Sequence, residues 1–378
     1  MRVAIALGGT DQGRSGLGTW VRAVVPRLSN RFSGGLVALG TARDLDAYAG
    51  VLAGIEQMVV PSRFDAPAAS ALWHLWMAGG AAREAGANVL LLAAANRRVA
   101  LRSPVPTVAV VHDLAQLQVP GKYDALRTFY LRTCVLSALR RNRVLVAVSE
   151  MTRDQLALAL GKQSASIRVV RNGVEAERFL PPAPADDRVA QARAATGLEG
   201  PYLLYPSRLE HPGKNHLRLL RAFAASRLRA THRLALVGAD WGAAAMLHAE
   251  VARLGLAGRV AVLGFIDDAL MPGLVAGADA VVMVGLCEGF GLPALEALAA
   301  ARVVVAARSG ALPEVVGSLA VFCDPLSEES IKSALEQAVF EPVFRERALR
   351  EGPAWASARS WNGTAQGLAD ACAAAVRS

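Results

Sequence analysis

Short apolar runs alternate with helix-patterned stretches from one end of this chain to the other, and that alternation admits few folds. Residues 3–7, 35–39, 89–92, 107–111 and 144–148 read as strands. Between them, residues 17–28, 69–85, 125–140 and 152–159 carry apolar side chains at helical spacing. A second series follows, with strands at 202–205, 234–237, 260–263, 280–284, 303–306 and 320–322. Its helices start near Leu217, Ala243, Leu270, Pro293, Leu312 and Glu328. Strands separated by helices form parallel sheets covered on both faces. The expected fold class is α/β, with two doubly wound, Rossmann-like domains. Residues 179–200 are polar and proline-bearing (Pro181, Pro182, Pro184, Asp186, Asp187) and read as a linker. The first domain is expected over 1–178 and the second over 179–358, with ligands in a central crevice beyond the strand C-termini.

The bulk numbers agree. The chain has 378 residues, 53% hydrophobic and 19% charged, enough for two cores rich in alanine, valine and leucine. Cys134, Cys287, Cys323 and Cys372 show no CxxC spacing, so a reducing cytoplasm is the expectation. Residues 1–10 start as a strand rather than a signal peptide, and no apolar stretch reaches membrane-spanning length. Residues 1–178 hold 22 Lys and Arg against 12 Asp and Glu, a net of +10, whereas the remaining 19 and 20 nearly cancel. A basic front half implies an acidic partner. Anionic lipid and phosphorylated acceptors fit. Nucleic acid does not, because zinc spacing, RNP-like aromatics and a contiguous basic tract are all missing.

Residues 288–296, Glu-Gly-Phe-Gly-Leu-Pro-Ala-Leu-Glu, join a buried strand to an alanine-rich helix. A helix start attracts anions through its free N–H groups, and the turn glycines let the main chain approach a ligand. Glu288 and Glu296 flank the turn. Amides for phosphate and carboxylates for hydroxyls suit a sugar nucleotide. Upstream, Arg208 and Lys214 lie six apart around a Pro-Gly turn after a strand, so both can point at one anion.

Over nearly its whole length the chain resembles the retaining GT-B glycosyltransferases of family 4, a group that includes bacterial mannosyltransferases. Residues 288–296 look like that family's E-x7-E signature. Tyr205-Pro-Ser-Arg-Leu-Glu-His-Pro-Gly-Lys-Asn-His resembles the segment carrying its Arg and Lys, and Val110-Val-His-Asp-Leu114 resembles its first-domain marker. Gly13-Arg-Ser-Gly-Leu-Gly18, Val148-Ser-Glu150, Arg171-Asn-Gly-Val174 and Ser309-Gly-Ala-Leu-Pro-Glu314 are weaker markers in the family's order.

The resemblance implies roles. Arg208 and Lys214 look like the diphosphate clamp, Glu296 the ribose ligand, and Glu288 the residue facing the donor sugar. Gly289 and the amides of Phe290, Gly291 and Leu292 would complete the donor site. The turn at Gly16 would press amides on the diphosphate, and His112 would contact the transferred sugar. A histidine satisfied by a neighbouring carbonyl is the bland alternative for His112, and capping the next turn is the bland alternative for Asp113. The pairs Asp186-Asp187 and Asp267-Asp268 read as loop carboxylates, so neither metal nor cofactor is expected. Residues 359–378 resemble the family's closing helix, which crosses back to the first domain.

The implied reaction is transfer of a hexosyl group, mannosyl from GDP-mannose as first choice, to a glycan or lipid-diphosphate-linked acceptor in cell-surface polysaccharide assembly. A UDP-sugar or deoxysugar nucleotide is the alternative donor. A sugar-nucleotide epimerase and a non-catalytic sugar-nucleotide-binding subunit are the other classes. Residues 126–143 read either as a core helix with arginines at its margin or as a face for anionic lipid, which would place the protein at the cytoplasmic side of the inner membrane. Trp73 and Trp76 could line an acceptor groove, though spacing of three more often signals packing.

Overall fold

The computed structural model describes residues 1–121, 125–181, 183 and 186–377. Pro182 and Pro184 of the expected linker lie outside them. The chain divides into two compact units: Met1–Leu117 with Tyr123–Gly173 and Trp361–Ser378, and Val174–Ser360 with Gln118–Lys122.

The first unit holds a seven-stranded sheet: β1 (Val3–Ala6), β2 (Leu36–Thr41), β3 (Glu56–Val60), β4 (Val89–Leu92), β5 (Thr107–Val111), β6 (Val144–Ala147) and β7 (Arg168–Val169). Every pairing is parallel, in the order β3-β2-β1-β4-β5-β6-β7. Residues of β1, β2, β4 and β5 are buried throughout, which is why they read as unbroken apolar runs. Two strands escaped the reading. β3 is an edge strand whose Glu56 and Gln57 are exposed, and β7 is only two residues long.

The second unit holds a six-stranded sheet: β8 (Tyr202–Pro206), β9 (Arg233–Val237), β10 (Val260–Gly264), β11 (Ala280–Met283), β12 (Val303–Ala307) and β13 (Ala320–Cys323). It too is wholly parallel, in the order β10-β9-β8-β11-β12-β13. In each sheet the connections reverse direction between the first strand and the fourth. Loops leaving those two strands diverge to opposite faces and open a crevice at the carboxyl edge. In the second unit that edge belongs to β8 and β11.

Local departures have local causes. The 69–85 pattern is two helices, Pro67–Trp76 and Ala78–Glu84, broken at Met77. The second fits because Gly79 has no side chain to strike Ser103. The 125–140 pattern contains a π turn at Leu131–Val135 between Ala125–Tyr130 and Leu136–Arg141. The expected linker contains a helix, Arg188–Thr196, packed on Met271–Ala276. Its inner face is alanine, with Ala192 its one buried residue, so hydrophobic periodicity does not reveal it. The final helix, Trp361–Arg377, lies on Gly16–Ser29 and on β4, β5 and β6 of the first unit. Buried Trp361, Leu368 and Cys372 hold it there, and Thr364 Oγ1 donates to the Arg171 carbonyl at 2.8 Å.

Candidate active site

The second unit's site is built on the loops that leave β8 and β11. After β11 the chain runs through Gly285 to Glu288, and Gly291 (φ 99°) turns it into the helix Leu292–Ala299 with a proline in its first turn. Only a residue tolerant of left-handed backbone makes that entry cheaply. The loop is braced from both sides. The Leu286 amide donates to the Gly213 carbonyl at 2.9 Å, and the Ala311 amide donates to the Glu288 carbonyl at 2.8 Å. A side chain at Gly310 would overlap the Glu288 backbone, and one at Gly285 would overlap its carboxylate. These two absences let Glu288 fold inward, where it is 8% exposed.

Lys214 reaches the same place from β8. Its Nζ sits 2.8 Å from Glu288 Oε1 and 2.9 Å from Oε2. Both side chains are largely buried, so the pair is a charge-assisted contact in a low-dielectric setting. Arg208 leaves the same strand. Its Nη2 lies 3.0 Å from Glu210 Oε2, and its guanidinium stacks over the Trp241 ring at 4.4 Å. The two cations expected to form the clamp therefore rest against carboxylates of their own unit. Glu210 and Trp241 did not stand out in the sequence. Glu210 could have been found, as the acid two places beyond Arg208. Trp241 could not, since only the pairing of β8 with β9 brings it there.

Glu296 lies one turn into the Leu292–Ala299 helix and is half-buried. Burial pushes its carboxyl up to about 7, with a further rise from Asp268 that Arg178 opposes. Asp268 itself forms an ion pair with Arg178 at 2.7 Å, and Asp267 caps the following turn through Ala269 N. Asp186 is ion-paired to Arg188. Phe290 is buried, and Gly289 and Leu292 are partly accessible at the same turn.

In the first unit, His112 follows β5 and is 8% exposed. Its Nε2 lies 2.8 Å from the Ala93 carbonyl, and its ring meets Trp20 edge-on at 5.3 Å. Burial lowers its pKa to about 4, so at neutral pH it is an uncharged imidazole. Nε2 donates to Ala93, leaving Nδ1 as the acceptor. Asp113 caps the next turn through Ala115 N at 3.1 Å. Gly16 opens the Gly16–Ser29 helix behind a turn in which Asp11 (φ 59°) and Gln12 (φ 49°) are left-handed. Arg97 holds that turn, donating to Gly9 O at 3.2 Å and to Asp11 Oδ1 at 2.5 Å. A side chain at Gly18 would strike Gly13, so the glycine there is a packing requirement. Trp73 is buried, whereas Trp76 is 54% exposed beneath Arg102.

Comparison with known proteins supplies the context. Residues 14–178 match the family described as Glycosyltransferase Family 4, and residues 189–355 match Glycosyl transferases group 1. The O-antigen chain mannosyltransferase B of Escherichia coli is 28% identical over 256 residues, 67% of this chain and 66% of the relative. A D-inositol 3-phosphate glycosyltransferase of Streptomyces bingchenggensis is 30% identical over 318 residues, 80% of this chain and 66% of the relative. The chain spans just under two thirds of each of these relatives. Among solved structures, Anabaena HepE in complex with UDP and glucose superposes with a TM-score of 0.77, covering 98% of both chains at 19% identity. At that identity the likeness is one of fold.

Proposed function

The chain belongs to family 4 of the glycosyltransferases, and from that premise we propose that it is a retaining hexosyltransferase using a nucleotide-sugar donor. The observation that carries the proposal is the Lys214–Glu288 contact at the β8/β11 edge, with Arg208 on the same strand exit. A cation and a carboxylate at one strand edge match the two halves of a sugar nucleotide. In the proposed reaction the bond between the anomeric carbon and the diphosphate oxygen breaks, and an acceptor oxygen attacks from the same face. The acceptor's proton passes to the leaving phosphate. Negative charge grows on that phosphate as the bond breaks, so Arg208 and Lys214 favour the transition state over the ground state. The proposal needs no metal or cofactor, since these cations supply the charge. Glu288 faces donor-sugar hydroxyls, Glu296 the ribose, and the turn from Gly289 to Leu292 the donor.

Mannosyl from GDP-mannose is the first-choice donor, in keeping with the mannosyltransferase relative. The Anabaena neighbour was also solved with UDP-glucose, which favours a UDP-sugar as the second reading. A panel of nucleotide sugars, read by thermal shift and product formation, tests both. GDP-mannose should stabilise the protein and be turned over. Stabilisation by UDP but not GDP would replace the first reading with the second. Released free epimerised sugar would instead indicate an isomerase, and binding without any product would indicate a non-catalytic subunit.

The proposed acceptor is a glycan or a lipid-diphosphate-linked glycan met at an anionic membrane surface, on the cytoplasmic side of the inner membrane. Among the described residues, no helix is long and apolar enough to cross a membrane. On the helix Ala125–Tyr130, Leu126 and Phe129 are 76% and 64% exposed, with Arg127 and Arg132 exposed around them. Apolar side chains rimmed by arginines suit a headgroup interface. Co-sedimentation with phosphatidylglycerol vesicles is the expected result, lost in Leu126→Ser/Phe129→Ser. Equal recovery with phosphatidylcholine vesicles would reject the electrostatic part of the idea.

A further inference from the structure

We infer that Asn215 is a positioning residue for the transfer step, acting through Lys214 and Glu288; the inference rests on the proposed donor site. Asn215 stands between Lys214 and the helix His216–Ala225, in left-handed backbone at φ 60°. Glycine adopts that conformation at lower cost, and asparagine is among the few other residues found there. Its side chain therefore needs a reason to be present. That side chain is 4% exposed and makes three hydrogen bonds. Nδ2 donates to the Val284 carbonyl at 3.0 Å and to the Pro325 carbonyl at 2.7 Å. Oδ1 accepts from Arg218 Nη1 at 2.7 Å.

The two carbonyls lie 69 and 110 residues away in sequence. Val284 directly follows β11 on the way to Glu288, and Pro325 follows β13. Asn215 thus ties the Lys214 turn to two separate strand exits. Tyr205 Oη donates to the Lys214 carbonyl at 2.6 Å, and on the other side of Lys214 the Leu286 amide donates to the Gly213 carbonyl at 2.9 Å. The Lys214 main chain is held before and after its own side chain. Three residues separate Val284 from Glu288, so the same tether sets the relative position of the ammonium and the carboxylate. Displacing a catalytic group by about 1 Å can lower a rate by about 10²-fold.

Asn215→Gly isolates the tether, because glycine keeps the left-handed turn and removes only the side-chain bonds. Asn215→Asp sets a carboxylate oxygen against the Val284 and Pro325 carbonyls. The measurements are kcat and donor KM in a transfer assay, the Kd for GDP and UDP by calorimetry, and the melting temperature. Asn215→Gly is expected to melt near wild type while its kcat falls at least about tenfold, more than its KM rises. Asn215→Asp should fall further. A purely structural asparagine would lower the melting temperature and leave kcat of the folded fraction unchanged. Should glycine prevent folding, Arg218→Met, which removes only the bond to Oδ1, is expected to lower kcat a few-fold at an unaltered melting temperature.

The outcomes separate the two readings. If wild type transfers sugar and Lys214→Ala does not, the donor site stands, and an Asn215→Gly kcat within about twofold of wild type overturns this inference alone. If wild type transfers no sugar from any donor, the proposed function fails. Asn215 is then judged on nucleotide binding, where an unchanged Kd in Asn215→Gly overturns the inference and at least about tenfold weakening supports it.

Discussion

Lys214→Ala is expected to lower kcat/KM by about 10²- to 10³-fold, the size of effect seen when one preorganised donor to a developing anion is removed. The lysine ammonium is mostly shielded from water, so its field at the leaving phosphate is weakly screened. Arg208→Ala should follow in the same direction. The two variants differ in stability. Without Lys214, Glu288 is left charged and buried at 8% exposure, which costs about 3 kcal/mol by comparison with other broken buried pairs. Lys214→Ala/Glu288→Gln should recover most of that stability and none of the activity. Chemical denaturation and a transfer assay on the three proteins would check both statements. Near-normal turnover in both single variants would remove the cations from the mechanism.

Nucleotide affinity should rise with pH, by about tenfold between pH 6 and pH 8. Glu296 carries the reason. Burial and the nearby Asp268 charge raise its carboxyl to about 7. A ribose diol donates two hydrogen bonds, and the ionised carboxylate is the form that accepts both. Below pH 7 the proton must leave before the ligand is held, and the apparent affinity falls about tenfold per pH unit. Glu296→Gln should bind more weakly above pH 7 and show a flat profile, as measured by calorimetry with GDP and UDP. Stability runs the other way. A raised carboxyl pKa means the folded state keeps its proton longer than the unfolded chain. The stability associated with that proton is present below about pH 4.5 and is lost as pH climbs to about 7. Glu296→Gln should therefore be the more stable protein above pH 7. A wild-type affinity that does not change between pH 6 and pH 8 would separate Glu296 from the ribose.

Both predictions use residues already visible in the amino-acid order. Each lies on the segment that follows a predicted strand, and parallel-sheet proteins assemble their sites beyond such strand ends. Less could be read about what surrounds them. The sequence placed Glu288 on a turn within reach of ligand, and the fold buries it against Lys214. Arg208 looked like part of a diphosphate clamp, and the fold rests it on Glu210 and Trp241. For His112 the two readings coexist, because its Nε2 hydrogen bond to Ala93 still leaves Nδ1 as an acceptor. The misread segments, β3, β7 and the helix Arg188–Thr196, share a lack of strong apolar patterning: two are edge or very short strands, and the third buries only an alanine.

By itself the sequence determined the alternation of buried strands and covering helices, the parallel sheets that follow from it, and the identity of the polar residues at the strand exits. Those are local properties, set by periodicity and by which backbone each residue type tolerates. Only the tertiary structure decided that Lys214 meets Glu288 across 74 positions, that Asn215 spans to Val284 and Pro325, and that Glu296 is shielded enough to hold its proton near neutrality. Those depend on strand order, which sets β8 beside β11, and on the water excluded when the sheet is covered, and neither is encoded in any short stretch of the chain.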